Sequence, residues 1–310
     1  MTAQASRDAW PALDWQDWHD TGDTLHRWTQ IVGKIRMALA PMMNHWWQVT
    51  LYVTSRGLTT SPIPYGAVWF EITFDFIDHA LRIDRSDGAR EAFQLEPMSV
   101  ADFYSQIFTR LRRLGIDVHI WTMSCEIPDD DVAFPDDHAH AAYDPVYANR
   151  FWRVLLQTHG VFNAFRSLFI GKASPVHFFW GSFDLAVTRF SGRPAPPHPG
   201  VAPHVAGWVM RESYSHEVSS CGFWPGNGGF GRAAFYSYAY PEPANFNRIQ
   251  LHTPGAFYDD QMREFLLPYD AVRQAPEPHM ALMAFLQETY AAAADGAGWD
   301  RAALERASSA

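Results

Sequence analysis

With 310 residues, 47% of them hydrophobic and 19% charged, the chain has room for one large domain or two ordinary ones, and its composition excludes a disordered majority. A formal net charge of −10, with the dense basic run confined to Arg110–Arg113, argues against nucleic acid, which asks for a concentrated basic face. Two cysteines are too few for a disulfide framework, and no apolar run reaches the roughly 20 residues of a membrane helix, so a cytoplasmic protein without membrane contact is expected.

In chain order, a Trp-rich lead precedes a helix whose apolar residues Leu25, Trp28, Ile31, Val32, Ile35 and Leu39 recur at helical spacing; Asp23 is its expected cap and Pro41 its limit. Next comes His45-Trp46-Trp47 in a stretch of aromatic and β-branched residues. The long strand after it turns Phe70, Ile72, Phe74 and Phe76 one way and Glu71, Thr73 and Asp75 the other. Ser86-Asp87-Gly88 reads as a hairpin turn, Ser99 as the cap of a helix ended by Gly115, and Val118–Ser124 as a further strand.

The acidic, proline-containing stretch 128–138 reads as part of a linker over 128–143, between an N-terminal half (1–127) and a C-terminal half (144–310). The second half opens with a helix from about Pro145 to Phe169. It continues through one strand over Ser174–Arg193, then Ser213–Ser220 and Ala234–Tyr240, and closes with a helix from Pro278 and a tail from Ala303 expected to fray. The halves share an order: a Trp-bearing helix, a Gly-Lys pair, a proline, then His-aromatic-aromatic (His45-Trp46-Trp47 and His177-Phe178-Phe179). The expected class is α+β, with antiparallel sheets, packed helices and two related halves that pack as one unit.

Chemistry-bearing residues gather on the aromatic strands. On one continuous strand His177 and Asp184 face opposite ways unless a bulge intervenes at Gly181. Tyr214 and His216 share a face, with Glu217 on the reverse. The expected catalytic set is His177, His216, Glu217, Asp184 and Glu71: a histidine as general base, a carboxylate as its partner. The expected substrate-binding set is His45, Trp47, Arg56, Trp180, Arg189 and Tyr214, with an arginine as anion clamp. His216 together with His177 or His45, completed by Glu71 or Glu217, offers the donor types of a metal site, yet no local H-x-x-x-H or H-E-x-x-H spacing supports one, so metal and cofactor stay open. The glycine-rich stretch 222–231 lacks a phosphate-loop lysine and reads as a loop over a cavity, and no G-x-S-x-G marks a nucleophile.

The motifs Ser174–Arg193, Tyr214–Val218, Asn44–Trp47, Ser55–Gly66 and Phe74–His79 resemble those of a bacterial family described only as a domain of unknown function. The resemblance covers nearly the whole chain. It implies one family-wide unit in a bacterial, cytoplasmic setting and brings no reaction. Aromatic content of 15% fits either a heavy core or a cavity wall. The expected function is an enzyme acting on a small anionic or aromatic molecule, with a non-catalytic small-molecule binder as the alternative and a purely structural protein third. The expected partner is a small molecule, with oligomeric state left open.

Overall fold

The structure is a computed structural model that describes residues 9–200 and 202–306. Its first long element is α1 (Trp15–Leu39), capped by the Asp14 side chain, which accepts from the Gln16 N–H. The end of the Trp-rich lead, from Trp15, therefore forms the first turn of the helix, and Asp23 lies inside it. Asp17 in the first turn and Arg36 in the last both suit the helix dipole. From Thr24 to Arg36 the helix is buried on all sides, which makes it the central strut of the molecule.

The first sheet holds β1 (Tyr52–Val53), β2 (Gly57–Thr59), β3 (Ile63–Tyr65), β4 (Val68–Asp75), β5 (Ala80–Arg85) and β6 (Arg90–Gln94), all antiparallel, in the order β1-β2-β4-β5-β6 with β3 on β4. Phe70, Ile72 and Phe74 of β4 point into the core at the expected period of two. Gly88, at φ 92°, closes the expected turn between β5 and β6. Ser99 caps α2 (Val100–Arg113) by accepting from the Asp102 N–H.

Val118–Ser124 forms no strand but an irregular segment, in which the Trp121 ring lies 4.8 Å from Lys34 Nζ of α1. Its end is pinned by the Gln30 side chain, which donates to the Cys125 carbonyl (2.8 Å) and accepts from the Cys125 N–H (2.7 Å). The acidic stretch beyond is tied down too: Arg27 of α1 pairs with Asp130 at 3.0 Å and Asp137 at 3.5 Å, and Phe134 is buried between them in sequence. Asp144 then caps α3 (Pro145–Ser167) by accepting from the Val146 and Tyr147 N–H groups.

The second sheet runs β11-β12-β10-β9-β8-β7, from β7 (His177–Phe179), β8 (Asp184–Pro194), β9 (His216–Trp224), β10 (Ala234–Tyr240), β11 (Phe257–Asp259) and β12 (Glu264–Pro268). Ser174–Arg193 is thus a hairpin and not one strand. The chain reverses over Trp180–Phe183 and pairs Phe179 with Asp184 and His177 with Ala186. A two-way bridge between Leu51 and Phe178 (2.9 and 2.8 Å) joins the ends of the two sheets.

Alternation along β8, β9 and β10 divides this sheet. Leu185, Val187 and Arg189, Cys221 and Phe223, and Phe235 face the core, against α3 and the helix α4 (Pro278–Gly296). Asp184, Ala186, Thr188 and Phe190, Val218, Ser220 and Trp224, and Tyr236 and Tyr238 face the other way. At the end of the chain Leu304 accepts from the Ile170 N–H (2.8 Å) and Arg306 donates its N–H to Leu168 (3.0 Å), so the tail is anchored to that point; 307–310 lie outside the described residues.

Candidate functional site

On the second face of this sheet lies a cavity of about 300 Å³. Its roof is the 3₁₀ turn Asn44–Val49 together with the short helix Gly207–Ser213. In that turn His45 and Trp46 sit consecutively at φ 59° and 65°, a left-handed conformation that costs a non-glycine residue about 1–2 kcal/mol. Both side chains line the cavity, where Trp46 packs edge-on against Trp208. Trp47, Phe179, Phe190 and Trp224 complete an aromatic wall.

The floor is polar. Asp184, buried at the start of β8, accepts from Ser182 Oγ at 2.5 Å and from the Tyr236 hydroxyl. Burial pushes its carboxyl up to about 6, against the pull of those two donors. Tyr214 and Tyr238 share a hydrogen bond of 2.8 Å between their hydroxyls, as do Thr188 and Ser220. Outside the cavity lining, Glu264 on β12 is buried, and desolvation and then the Asp184 charge push it up to about 8.

Glu126 reaches the same space from the coil that follows Cys125. It holds φ 62°, donates its N–H to the Pro203 carbonyl at 2.9 Å, and lays its side chain across Gly181. A Cβ at position 181 would stand 2.1 Å from Glu126 Oε1, so only glycine leaves room for this approach. Glu126 is exposed and lines the cavity, and desolvation followed by the Asp184 charge pushes its carboxyl up to about 7. Among the described residues nothing hydrogen-bonds to it.

His45 stands at the rim. Lys172 donates to its Nε2 at 2.7 Å, so Nδ1 carries the proton and donates to the Ser213 carbonyl at 3.1 Å. Burial, then the Lys172 charge, lowers its pKa and keeps it neutral.

Of the residues singled out in the sequence, Asp184, His45, Trp47 and Tyr214 line this cavity. His216 stands beside it, edge-on to His45 with ring centres 5.8 Å apart. Trp180 lines a neighbouring cavity of about 200 Å³ and donates its indole N–H to the Val49 carbonyl at 2.7 Å. His177 is packed in the interior among Trp47, Tyr52 and Phe179, within 3.3 Å of the Thr50 hydroxyl, and burial pushes its pKa down to about 3. Arg189 lies on the core face, its guanidinium over the Phe165 and Tyr290 rings at 3.5 and 4.2 Å.

Three others are engaged elsewhere. Arg56 pairs with Asp75 (2.6 Å) and Asp78 (2.8 Å) on the first sheet, Glu71 accepts from Thr59, and Glu217 accepts from Arg193 and Ser191, each at 2.7 Å. Neither these carboxylates nor His177 join His45 and His216, and among the described residues no three His, Cys, Asp or Glu side chains converge in a way that could hold a metal ion.

Sequence reasoning missed Glu126, Tyr236, Tyr238 and Glu264. The tyrosines did carry a signal: positions 236, 238 and 240 alternate along one strand and so share a face. Glu126 carried none, because its place depends on the distant Gln30 and Gly181. Glu264 sits in a strand that was not expected.

Among the described residues no helix is long and apolar enough to cross a membrane. No curated protein and no solved structure matches the chain. The model of a family of unknown function, DUF5996, matches residues 10–306, from the Trp-rich lead through both sheets to the anchored tail, and the chain belongs to that family.

Proposed function

We propose that this protein is an acid–base enzyme acting on a small aromatic molecule that carries a basic nitrogen. The observation that carries the reading is the unequal carboxyl pair in an aromatic cavity: Asp184 held by two hydroxyl donors, Glu126 accessible and without a donor among the described residues. Such inequality separates the roles of two carboxyls. Asp184 is fixed in place and orients, while Glu126, titrating near neutrality, takes up or gives back the proton. The aromatic wall suits both a planar ring and an organic cation over a ring face. Among the described residues no arginine lines the cavity, which supports the aromatic side of the expectation over the anionic one.

The test is a thermal-shift and native mass-spectrometry screen with matched arylalkylamines and arylalkyl carboxylic acids, followed by turnover assays on every stabilising compound. Amines should bind, with affinity rising as pH rises through about 7 while the amine stays protonated, because the Glu126 carboxylate forms there. Glu126→Gln should abolish turnover while leaving the protein folded. Binding without turnover in the unaltered protein would make it a binding protein, and a preference for the acids would overturn the reading.

A further inference from the structure

On the far side of Glu126 from the cavity floor, Lys34 of α1 meets Cys125. Lys34 Nζ lies 3.1 Å from Cys125 Sγ, and the Lys34 side chain has no exposed surface. Trp121 and Trp180 enclose the amine, with ring centres 4.8 and 5.6 Å away. Among the described residues no carboxylate stands within ion-pairing distance of Lys34. A buried ammonium without an anion is costly, so burial lowers the lysine pKa. The sulfur is held in place from behind: both hydrogen bonds from Gln30, one turn earlier on the same helix, fix the Cys125 backbone. Cys125 is 8% exposed and lines the cavity of about 200 Å³, so a small reagent reaches the sulfur with the amine directly behind it.

We propose that Lys34 and Cys125 are a covalent modification site, at which hydrogen peroxide joins Sγ to Nζ through a single oxygen atom. The first peroxide oxidises the thiol to a sulfenic acid, S–OH, and leaves as one water. The second takes one hydrogen from that S–OH and one from the amine as the O–N bond closes, and leaves as two waters. Sulfur and nitrogen are oxidised, the peroxide is reduced, and the product is S–O–NH. One inserted oxygen spans the observed separation with a small closing movement, whereas a direct S–N bond would need a much larger one. The bridge ties α1 to the residue preceding Glu126, so it also restrains the carboxyl of the neighbouring cavity. The proposal does not depend on what that cavity binds.

Cys221 is the built-in control. It is buried among core residues, donates weakly to the Val187 carbonyl at 3.6 Å, and has its pKa pushed up to about 12, with Arg189 and no lysine beside it. The full-length protein is treated with hydrogen peroxide, unfolded, alkylated, digested and mapped by mass spectrometry. The expected product is a cross-linked pair containing Lys34 and Cys125, heavier than its two peptides by one oxygen less two hydrogens and released by dithiothreitol, while Cys221 is recovered alkylated.

The exposed Met42 reports that the dose was sufficient. At a dose that oxidises Met42, a Cys125 that stays alkylatable, or one found as sulfinic or sulfonic acid without a cross-link, overturns the proposal; so does a cross-link lacking oxygen. Lys34→Met should divert Cys125 to the over-oxidised acids. Where that variant fails to fold, the map of the unaltered protein with and without dithiothreitol decides alone.

Discussion

Glu264→Gln should remove most of the stability the protein loses between pH 6.5 and 8. Glu264 is 6% exposed, and its carboxyl is pushed from 4.5 up to about 8 by desolvation and then by Asp184. A carboxyl raised on folding keeps its proton in the folded chain and releases it on unfolding. The stability this contributes is fully present below the unfolded value and is lost as pH rises through the folded one. One pH unit in that interval costs about 1.4 kcal/mol, so the loss across the window is about 2 kcal/mol. Below pH 6.5 the signs mix: burial lowers His177 to about 3 and His26 to about 4, and those groups lose stability as the solution becomes more acidic. Within the window His177 and His26 are neutral in the folded chain; in the unfolded chain they are half protonated at pH 6.5, a term of about 0.4 kcal/mol each that is common to protein and variant and cancels in their difference. Urea unfolding of protein and variant at half-unit pH steps measures the difference directly. The variant should gain about 2 kcal/mol on the parent between the ends of the window; parallel curves would mean that Glu264 is not held protonated, and would refute the reasoning.

Three further outcomes can be checked on the same scale. Arg189→Ala should cost about 3–5 kcal/mol in urea unfolding, because it empties space beside Phe165 and Tyr290, while Arg189→Met, which keeps the apolar volume, should cost clearly less; equal losses would show that the charge itself is required. Gly181→Ala forces the Glu126 carboxyl aside, a flexible group that moves cheaply, so the thermal midpoint should hold while the carboxyl titration near 7 in ¹³C NMR shifts. His177→Gln should flatten acid unfolding: a histidine lowered on folding contributes stability above its unfolded value of 6.5 and loses it as pH falls towards the folded value of about 3, about 2 kcal/mol by pH 5.

Elements with a local signal were legible in the sequence. Ser99 and Gly115 bracket the second helix, Ser86-Asp87-Gly88 marks its turn, and the Phe70–Phe74 alternation marks its strand. The reversal at Trp180–Phe183 was hidden because its left-handed position is occupied by Phe183, at φ 59°, an aromatic where a turn ordinarily has glycine or asparagine. That miss carried over to the site, since a single strand puts His177 and Asp184 on opposite faces whereas the hairpin sets Phe179 opposite Asp184. Asp184 itself was legible as a charge in an apolar stretch. Glu126 was not, because the groups that aim it lie on α1 and in the hairpin turn, far away in the chain.

Parity along the strands explains which charges reach the cavity. Asp184 and Arg189 are five positions apart on β8, so whichever face receives one denies the other. A slip of one residue would carry Arg189 into the cavity and bury Asp184 against Phe165. The register forbids this, because Ala186 opposite Gly222 and Thr188 opposite Ser220 keep the same parity on β9, and Tyr236 and Tyr238 extend it to β10. Thus the guanidinium that would clamp an anion is spent on the core, stacked on aromatic rings, while the same alternation delivers a carboxyl and four hydroxyls to the cavity floor. Glu126, arriving from outside the sheet, adds a second carboxyl to that floor and no cation. On the proposed reading, a ligand that brings its own positive charge supplies what this floor lacks, and its nitrogen competes for the proton on Glu126.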